Sequence, residues 1–436
     1  MGLALGLAAV VPFVLRHRRR ERHAIAASRH AVEHGLHEPV SLHPVVDPDR
    51  CIGTGRCVEV CPEGDVLGMR NGQAFPVTPA RCIGHGLCER SCPMEAIQLV
   101  FGTEKRGVEL PRIRGNFETN VPGIYIVGEL GGMGLIGNAF EQGRQCIEGI
   151  MGEKRAAPAG MHDAVIVGCG PAGLSAALTA LHHGLDVETI EKEDLGGTVR
   201  HYPRKKLVMT RALKVPGYGT LPFREVRKEE LVETWEEIVH RAGLEVRTGE
   251  TVEAIVRNGT GFVVRSDRGE HRTLRVILAI GRRGVPRKLG VPGEESAKVA
   301  YGLREPEAFQ GDRILVVGGG DSAVEAALAL ADQPGNEVRL SYRRDRLSRI
   351  KPANLERFED AVSNGRVRPL WATRVMRIGP DSVTLAPVDD SANGEGSYPT
   401  EVALPNDRVF VFIGGELPTR FLKECGVEID VKFGVP

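Results

Sequence analysis

The residues best placed to do chemistry in this chain are cysteines. Nine occur in 436 residues, and six of them fall between positions 51 and 92. CIGTGRCVEVCP places Cys51, Cys57 and Cys61 before Pro62, and CIGHGLCERSCP places Cys82, Cys88 and Cys92 before Pro93. The units share one spacing about thirty residues apart, so they are an internal repeat. Clustered thiols at fixed spacing hold a metal or a metal–sulfur cluster. Disulfides belong to oxidising compartments, and structural zinc sites use paired C-x2-C knuckles that these units lack. The intervening glycines keep side chains away, so backbone N–H groups can face bridging sulfides. An iron–sulfur module is the expectation.

Both units resemble the C-x2-C-x2-C-x3-C-P run of bacterial-type two-cluster ferredoxins, whose fourth cysteine serves the other cluster. The second cysteine position is Thr54 in one unit and His85 in the other. The resemblance implies one site from Cys51, Cys57 and Cys92, and another from Cys82, Cys88 and Cys61. Three thiolates per site leave three options: 3Fe-4S clusters, 4Fe-4S clusters with a weak fourth ligand, or no metal. His85 could add an imidazole, whereas Thr54 is a poor iron ligand.

Two further stretches have the pattern of dinucleotide sites. Ala164–Val167 reads as a buried strand leading into GCGPAG, with Gly168, Gly170 and Gly173 in G-x-G-x-x-G register before an apolar helix. Such glycines permit the tight turn, admit the pyrophosphate and let helix and strand pack closely. Glu191 ends the next strand, where an acid binds a ribose hydroxyl. ILVVGGGDSAVEAA repeats the pattern with Gly318, Gly320 and Ala323. The strand VRLSY then ends in Arg343 and Arg344, where an NAD site would carry an acid. Arginine there accommodates a 2′-phosphate, so NADPH is favoured over NADH.

These stretches resemble the thioredoxin-reductase-like flavoproteins over roughly residues 117–150 and 161–436. GCGPAG resembles their FAD fingerprint, GGGDSAVE their NADPH fingerprint, and VILAIGRRGVPRKLGVPGEE their inter-domain strand and turn. The resemblance implies bound FAD and hydride transfer from NADPH to the flavin. Reductases of thioredoxin carry a C-x-x-C dithiol before the second fingerprint. Here that stretch is YGLREPEAFQGDR, and C-x-x-C occurs nowhere in the chain, so dithiol exchange is disfavoured. Cys146, Cys169 and Cys425 read as structural. TNVPGIYIVGELGGMG, Thr119–Gly134, resembles the family's C-terminal flavin motif, yet it precedes the first fingerprint. The chain also stops at VEIDVKFGVP, about where that motif would otherwise follow. We read a circular permutation, with Glu129 as the flavin-binding acid and Asn138 and Gln142 as lesser candidates. The cysteine module would then attach directly to a flavin-contacting strand.

Positioning these residues calls for an α/β architecture of two nested Rossmann-like dinucleotide-binding domains preceded by a small α+β ferredoxin-like domain. The expected parts are an anchor with basic flank (1–22), a connector (23–44), the ferredoxin-like domain (45–100) and the permuted piece (101–153). An FAD domain (161–297), an NADPH domain (298–404) and a return to the FAD domain (405–436) follow. Lys154–Gly160 reads as a linker, Ser391–Ser397 as an exposed loop, and Val409–Ile413 as the last strand. Gly2–Leu15 is apolar and precedes Arg16, Arg18, Arg19, Arg20 and Arg22. At about 1.5 Å per residue it reaches about 21 Å, short of a hydrocarbon core of about 30 Å. Positive charge after the apolar stretch suits an N-terminal membrane anchor or span with a cytoplasmic remainder, rather than a secretory signal.

Lys+Arg and Asp+Glu both total 57, so no net field recruits nucleic acid. Aromatics at 5% argue against a base-stacking platform. A homodimer is expected. The leading function is an NADPH-linked electron-transfer flavoprotein that exchanges single electrons, through its clusters, with a protein donor or acceptor. One rival is flavin-site reduction of a disulfide or quinone with structural clusters. Another is a non-enzymatic redox sensor or scaffold at the membrane. No general acid or base stands out, as expected where the flavin carries the chemistry.

Overall fold

Two parallel sheets with one shared strand order dominate the chain, and a small cysteine-rich unit precedes them. The computed structural model describes residues 2–33, 36–39, 42–104, 107–132, 134–153, 157–202, 204, 206–209, 212–223, 225–282, 286–347, 350, 352–388, 401–415 and 418–434. The loop expected at Ser391–Ser397 lies outside them, as does the Lys154 end of the expected linker.

Helix α1 (Gly2–Glu33) takes in the apolar start, the arginines and much of the stretch read as a connector. Its Ala24 and Ala31 are buried, and Gly68 is so close beneath Ala24 that a Cβ there would come within 2.6 Å. The Asn71 N–H donates to Glu21 at 2.5 Å, and His23 reaches Asp65 at 3.3 Å. The first part of the stretch read as a connector is thus helical and docks on the cysteine unit. The transmembrane expectation is corrected, since no described helix is long and apolar enough to cross a membrane. In α1 the arginines follow the apolar residues too soon.

In the cysteine unit, β1 (His43–Val46) precedes α2 (Arg56–Glu59), and β2 (Leu67–Arg70) turns back into β3 (Gln73–Pro76). Asn71 and Gly72, at φ 52° and 77°, make that reversal, as the hairpin preference for Asn-Gly predicts. α3 (Leu87–Arg90) and β4 (Ile97–Val100) complete the unit, with β4 antiparallel to β1. Both short helices open on a left-handed glycine, Gly55 and Gly86, so the sequence repeat is also a backbone repeat.

The first large domain runs through β5 (Val108–Pro111), β6 (Ile124–Ile126), α4 (Ile136–Gly152), β7 (Ala164–Val167), α5 (Pro171–His182) and β8 (Val187–Glu191). Short strands β9 (Leu207–Met209), β10 (Leu213–Val215), β11 (Gly219–Leu221) and β12 (Glu225–Arg227) come next. Then follow α6 (Lys228–Ala242), β13 (Arg247–Thr248), the meander β14 (Val252–Asn258), β15 (Gly261–Ser266) and β16 (Gly269–Thr273), and β17 (Val276–Leu278). The parallel sheet has the order β13-β8-β7-β17-β6. Every residue of β6, β7 and β17 is buried; their unbroken apolar runs reflect strands covered on both faces. β6 precedes β7 in the chain yet closes the sheet beyond β17.

The second domain contains β18 (Val299–Ala300), β19 (Arg313–Val317), α7 (Asp321–Ala331), β20 (Glu337–Tyr342), α8 (Pro352–Ser363) and β21 (Val367–Trp371). A meander, β22 (Thr373–Ile378), β23 (Ser382–Pro387) and β24 (Val402–Pro405), leads to β25 (Arg408–Val411). Its parallel sheet is β18-β25-β19-β20-β21. This corrects the boundary expected at 404. β25 lies between β18 and β19, so the return begins only with α9 (Thr419–Glu424). The last strand is also not Val409–Ile413 but β26 (Ile429–Lys432), which pairs antiparallel with β5.

Candidate functional site

Three cysteines from distant positions line one cavity. Cys51, Cys57 and Cys92 surround it together with Thr54, Ala74 and Ala96. The Ala74 N–H donates to Cys51 Sγ at 3.4 Å and the Ala96 N–H to Cys92 Sγ at 3.3 Å. In the second unit the Gly84 N–H donates to Cys82 Sγ at 3.4 Å. Burial, reinforced by the charges of Cys51, Cys88 and Cys92, pushes the Cys57 thiol up to about 11. Cys82 is likewise pushed up to about 11, by burial and then by Cys88 and Cys61. Burial also raises Cys61 and Cys88, and Cys88 feels Cys61 in addition. These couplings place Cys57 near Cys51, Cys88 and Cys92, and Cys82 near Cys88 and Cys61.

Thiols crowded this way, buried or half-buried, become thiolates when a cation sits among them. Backbone donors to sulfur are the contacts that tune cluster ligands. Among the described residues no three His, Cys, Asp or Glu side chains converge on a single ion. A cluster does not require that, because each thiolate ligates a different iron. The donor set fits iron–sulfur clusters. His85 is half-buried in the second unit, and its carbonyl accepts from Arg90 Nη2 at 2.9 Å.

The first fingerprint loop lies at the carboxyl ends of β7 and β17, the edge where open parallel sheets bind ligands. A Cβ at Gly173 would stand 1.8 Å from the Gly168 carbonyl oxygen, so the loop and α5 meet only through glycine. Gly170 caps α5 in extended conformation with open space around it. Glu191, at the end of β8, accepts the Cys169 N–H at 2.6 Å and the Glu193 N–H at 3.0 Å. Glu129 follows β6 in a short turn whose Gly128 stands against Ala172 of α5. The Gly128 N–H donates to Gln142 Oε1 at 2.8 Å, and Asn138 sits on the same helix, α4.

Arg282 was missed at the sequence level. Burial lowers its guanidinium pKa, and the charges of Glu129 and then Glu109 oppose that shift. Its Nη2 donates to the Glu109 carbonyl at 3.3 Å. The available signal was its position just after β17, on the ligand edge of the sheet. Cys146, Cys169 and Cys425 are buried, and burial raises all three thiols, in keeping with structural roles.

The second fingerprint repeats this geometry. A Cβ at Gly318 would stand 2.4 Å from the Phe412 carbonyl oxygen, and one at Gly319 would enter the Tyr342 ring. Gly320 caps α7, and Ala323 is fully buried at the third fingerprint position. Arg343 is exposed and Arg344 half-buried just beyond β20. Asn354 Nδ2 donates to Asp321 at 2.7 Å and to Glu325 at 3.1 Å, tying α8 to α7. Lys206 of the first domain reaches the same Glu325 at 3.1 Å.

Comparison with known proteins agrees with this layout. Residues 165–435 match the family described as pyridine nucleotide-disulphide oxidoreductase, and residues 44–99 match a 4Fe-4S dicluster domain. A ferredoxin–NADP reductase from Ignicoccus hospitalis is 34% identical over 271 residues, which is 62% of this chain and 82% of that protein. The bacilliredoxin reductase Bdr of Bacillus subtilis is 31% identical over 279 residues, 63% of this chain and 83% of its own. The solved bacillithiol disulfide reductase Bdr from Bacillus cereus superposes with a TM-score of 0.54 at 27% identity, covering 62% of this chain and 82% of that one. The chain belongs to the pyridine nucleotide-disulphide oxidoreductase family, as an FAD- and NAD(P)H-dependent oxidoreductase that carries a 4Fe-4S dicluster domain ahead of its flavin fold.

Proposed function

We propose that this enzyme passes electrons between NADPH, FAD, its two clusters and a protein redox partner. FAD, when bound, would accept the electron pair of one hydride and give it up one electron at a time, and the clusters would supply single-electron relays. Residues 101–153 act as a permuted end of the flavin domain, with Glu129 and Arg282 at the flavin side of the first fingerprint. The amides after Gly168 and Gly170 and the α5 N-terminus take the pyrophosphate, and Glu191 takes a ribose hydroxyl. Arg343 and Arg344 hold the NADPH 2′-phosphate. Cys51, Cys57 and Cys92 hold one cluster, and Cys61, Cys82 and Cys88 the other.

One observation carries the reading: the chain leaves the cysteine unit at β4 and packs into the flavin segment at once, with no linker between. Phe101, immediately after β4, packs so tightly on Gly132 beside Glu129 that a Cβ there would come within 2.7 Å of its ring. Gly434 lies against the Gly102 carbonyl in the same way. Such attachment serves electron exchange and has no use for mobile dithiol chemistry, which the chain lacks the C-x-x-C to perform.

The test is anaerobic rapid mixing with NADPH, followed at flavin and cluster wavelengths, for wild type and for Cys51→Ser with Cys82→Ser. Flavin reduction is expected to survive the cysteine changes, while one-electron reduction of a ferredoxin acceptor is lost. Acceptor turnover that is unchanged by both substitutions would instead support direct reduction of a small molecule at the flavin.

A further inference from the structure

The two cysteine units repeat one spacing in unlike surroundings. In the first, Thr54 stands between Cys51 and Cys57, is exposed, and lines the cavity shared by Cys51, Cys57 and Cys92. Ile52 beside it is 65% exposed; a Cβ at Gly53 would stand 2.0 Å from the Gly72 carbonyl oxygen, but one at Gly55, on the other side of Thr54, would find only Met69 Sδ, at 3.9 Å. In the second, half-buried His85 lies between buried Gly84 and Gly86. Leu42 sits 3.2 Å from the Cβ position of Gly84, and Arg90 sits 2.9 Å from that of Gly86. The guanidinium of Arg90 also ties down the His85 carbonyl. A neutral threonine hydroxyl is a weak iron donor, whereas neutral imidazole is a common one.

We propose that the cluster on Cys51, Cys57 and Cys92 keeps one iron, at the Thr54 corner, bound by no protein side chain. That iron offers an exchangeable position to a low-molecular-weight thiolate, while His85 completes the cluster on Cys61, Cys82 and Cys88. A thiolate suits the place because it supplies the soft anionic donor that Thr54 withholds, and the exposure of Thr54 gives it a path. The inference rests on the cluster assignment made above and makes the repeat chemically unequal.

Full-length protein reconstituted anaerobically with iron and sulfide tests it. Ferricyanide takes one electron from an oxidised four-iron cluster; a weakly held iron leaves as ferrous ion, and a three-iron cluster stays on the three cysteines. Wild type is expected to yield the three-iron EPR signal from one cluster per chain. Thr54→Cys should abolish the signal and retain the iron, and His85→Ala should double it. In dithionite-reduced wild type, 2-mercaptoethanol should change one cluster's EPR spectrum, with no change in Thr54→Cys. Full iron retention by oxidised wild type, a signal untouched by Thr54→Cys, or a wild-type spectrum indifferent to the thiol each overturns the proposal. The wild-type measurements decide it even where a variant fails to fold. Protein that takes up no iron or sulfide overturns the cluster assignment itself, which chemical analysis separates from the other outcomes.

Discussion

The two dinucleotide domains follow one plan and handle their cofactor helices differently. Each runs edge strand, fingerprint strand, two further strands, meander and last strand, from β6 to β17 in one and from β18 to β25 in the other. In the first, α4 lies across α5, and nine consecutive residues of α5, Ala172–Ala180, are buried. Gly143 permits that approach, since a Cβ there would stand 2.1 Å from the Ala172 carbonyl oxygen. In the second, only a 3-10 turn, Pro306–Ala308, lies between β18 and β19, and the buried residues of α7 are Ala323, Val324, Ala326–Leu328 and Leu330. The more enclosed helix suits a resident cofactor, and the less enclosed one suits a cofactor that comes and goes.

The sharpest way to break this contrast is Gly173→Ala, which drives a Cβ into the Gly168 carbonyl. Purified protein should have lost nearly all its flavin, read from visible absorbance. Next, Arg343→Ala with Arg344→Ala should raise the KM for NADPH by about 10- to 100-fold and leave that for NADH alone, since charged hydrogen bonds contribute about 1.5–3 kcal/mol. Equal losses for both nucleotides would remove the arginines from the 2′-phosphate. Gly143→Val should cost about 1–3 kcal/mol, the usual range for overpacking, read from denaturant unfolding with flavin release as a second signal. Ala323→Gly should cost only about 0.5–1 kcal/mol through backbone freedom, with flavin content intact.

The smallest effect concerns pH. Asp407 joins β25 to β19 by accepting from Arg313 at 2.7 and 2.8 Å. The Arg313 guanidinium and backbone N–H hold its carboxyl well below the usual carboxylate range. The stabilisation is therefore complete above the unfolded value of about 3.9 and disappears as pH falls through the lower folded one. Partial exposure of both groups weakens it. Asp407→Asn should lower the melting temperature slightly at neutral pH, and the gap should close in acid. A gap constant with pH would assign the effect to packing.

Much of this was legible in the residues themselves. Cysteine spacing and G-x-G-x-x-G register are local patterns, because a short loop is built from neighbouring residues, and Glu191 and Arg343–Arg344 were legible from their place at the end of the next strand. The early Thr119–Gly134 motif pointed to β6 before any sheet was seen. Other features depended on partners distant in the chain. β26 was not foreseen as a strand because its one neighbour, β5, lies more than 300 residues earlier, and β25 falls to the second domain because β18 and β19 flank it. Arg282 gains meaning only beside Glu129. The sequence by itself determined the cofactors and the repeated cysteine units. Tertiary structure decided that α1 docks on the cysteine unit, that Phe101 closes on the flavin turn, and that the Thr54 and His85 corners differ, since burial is a property of neighbours folded against a residue.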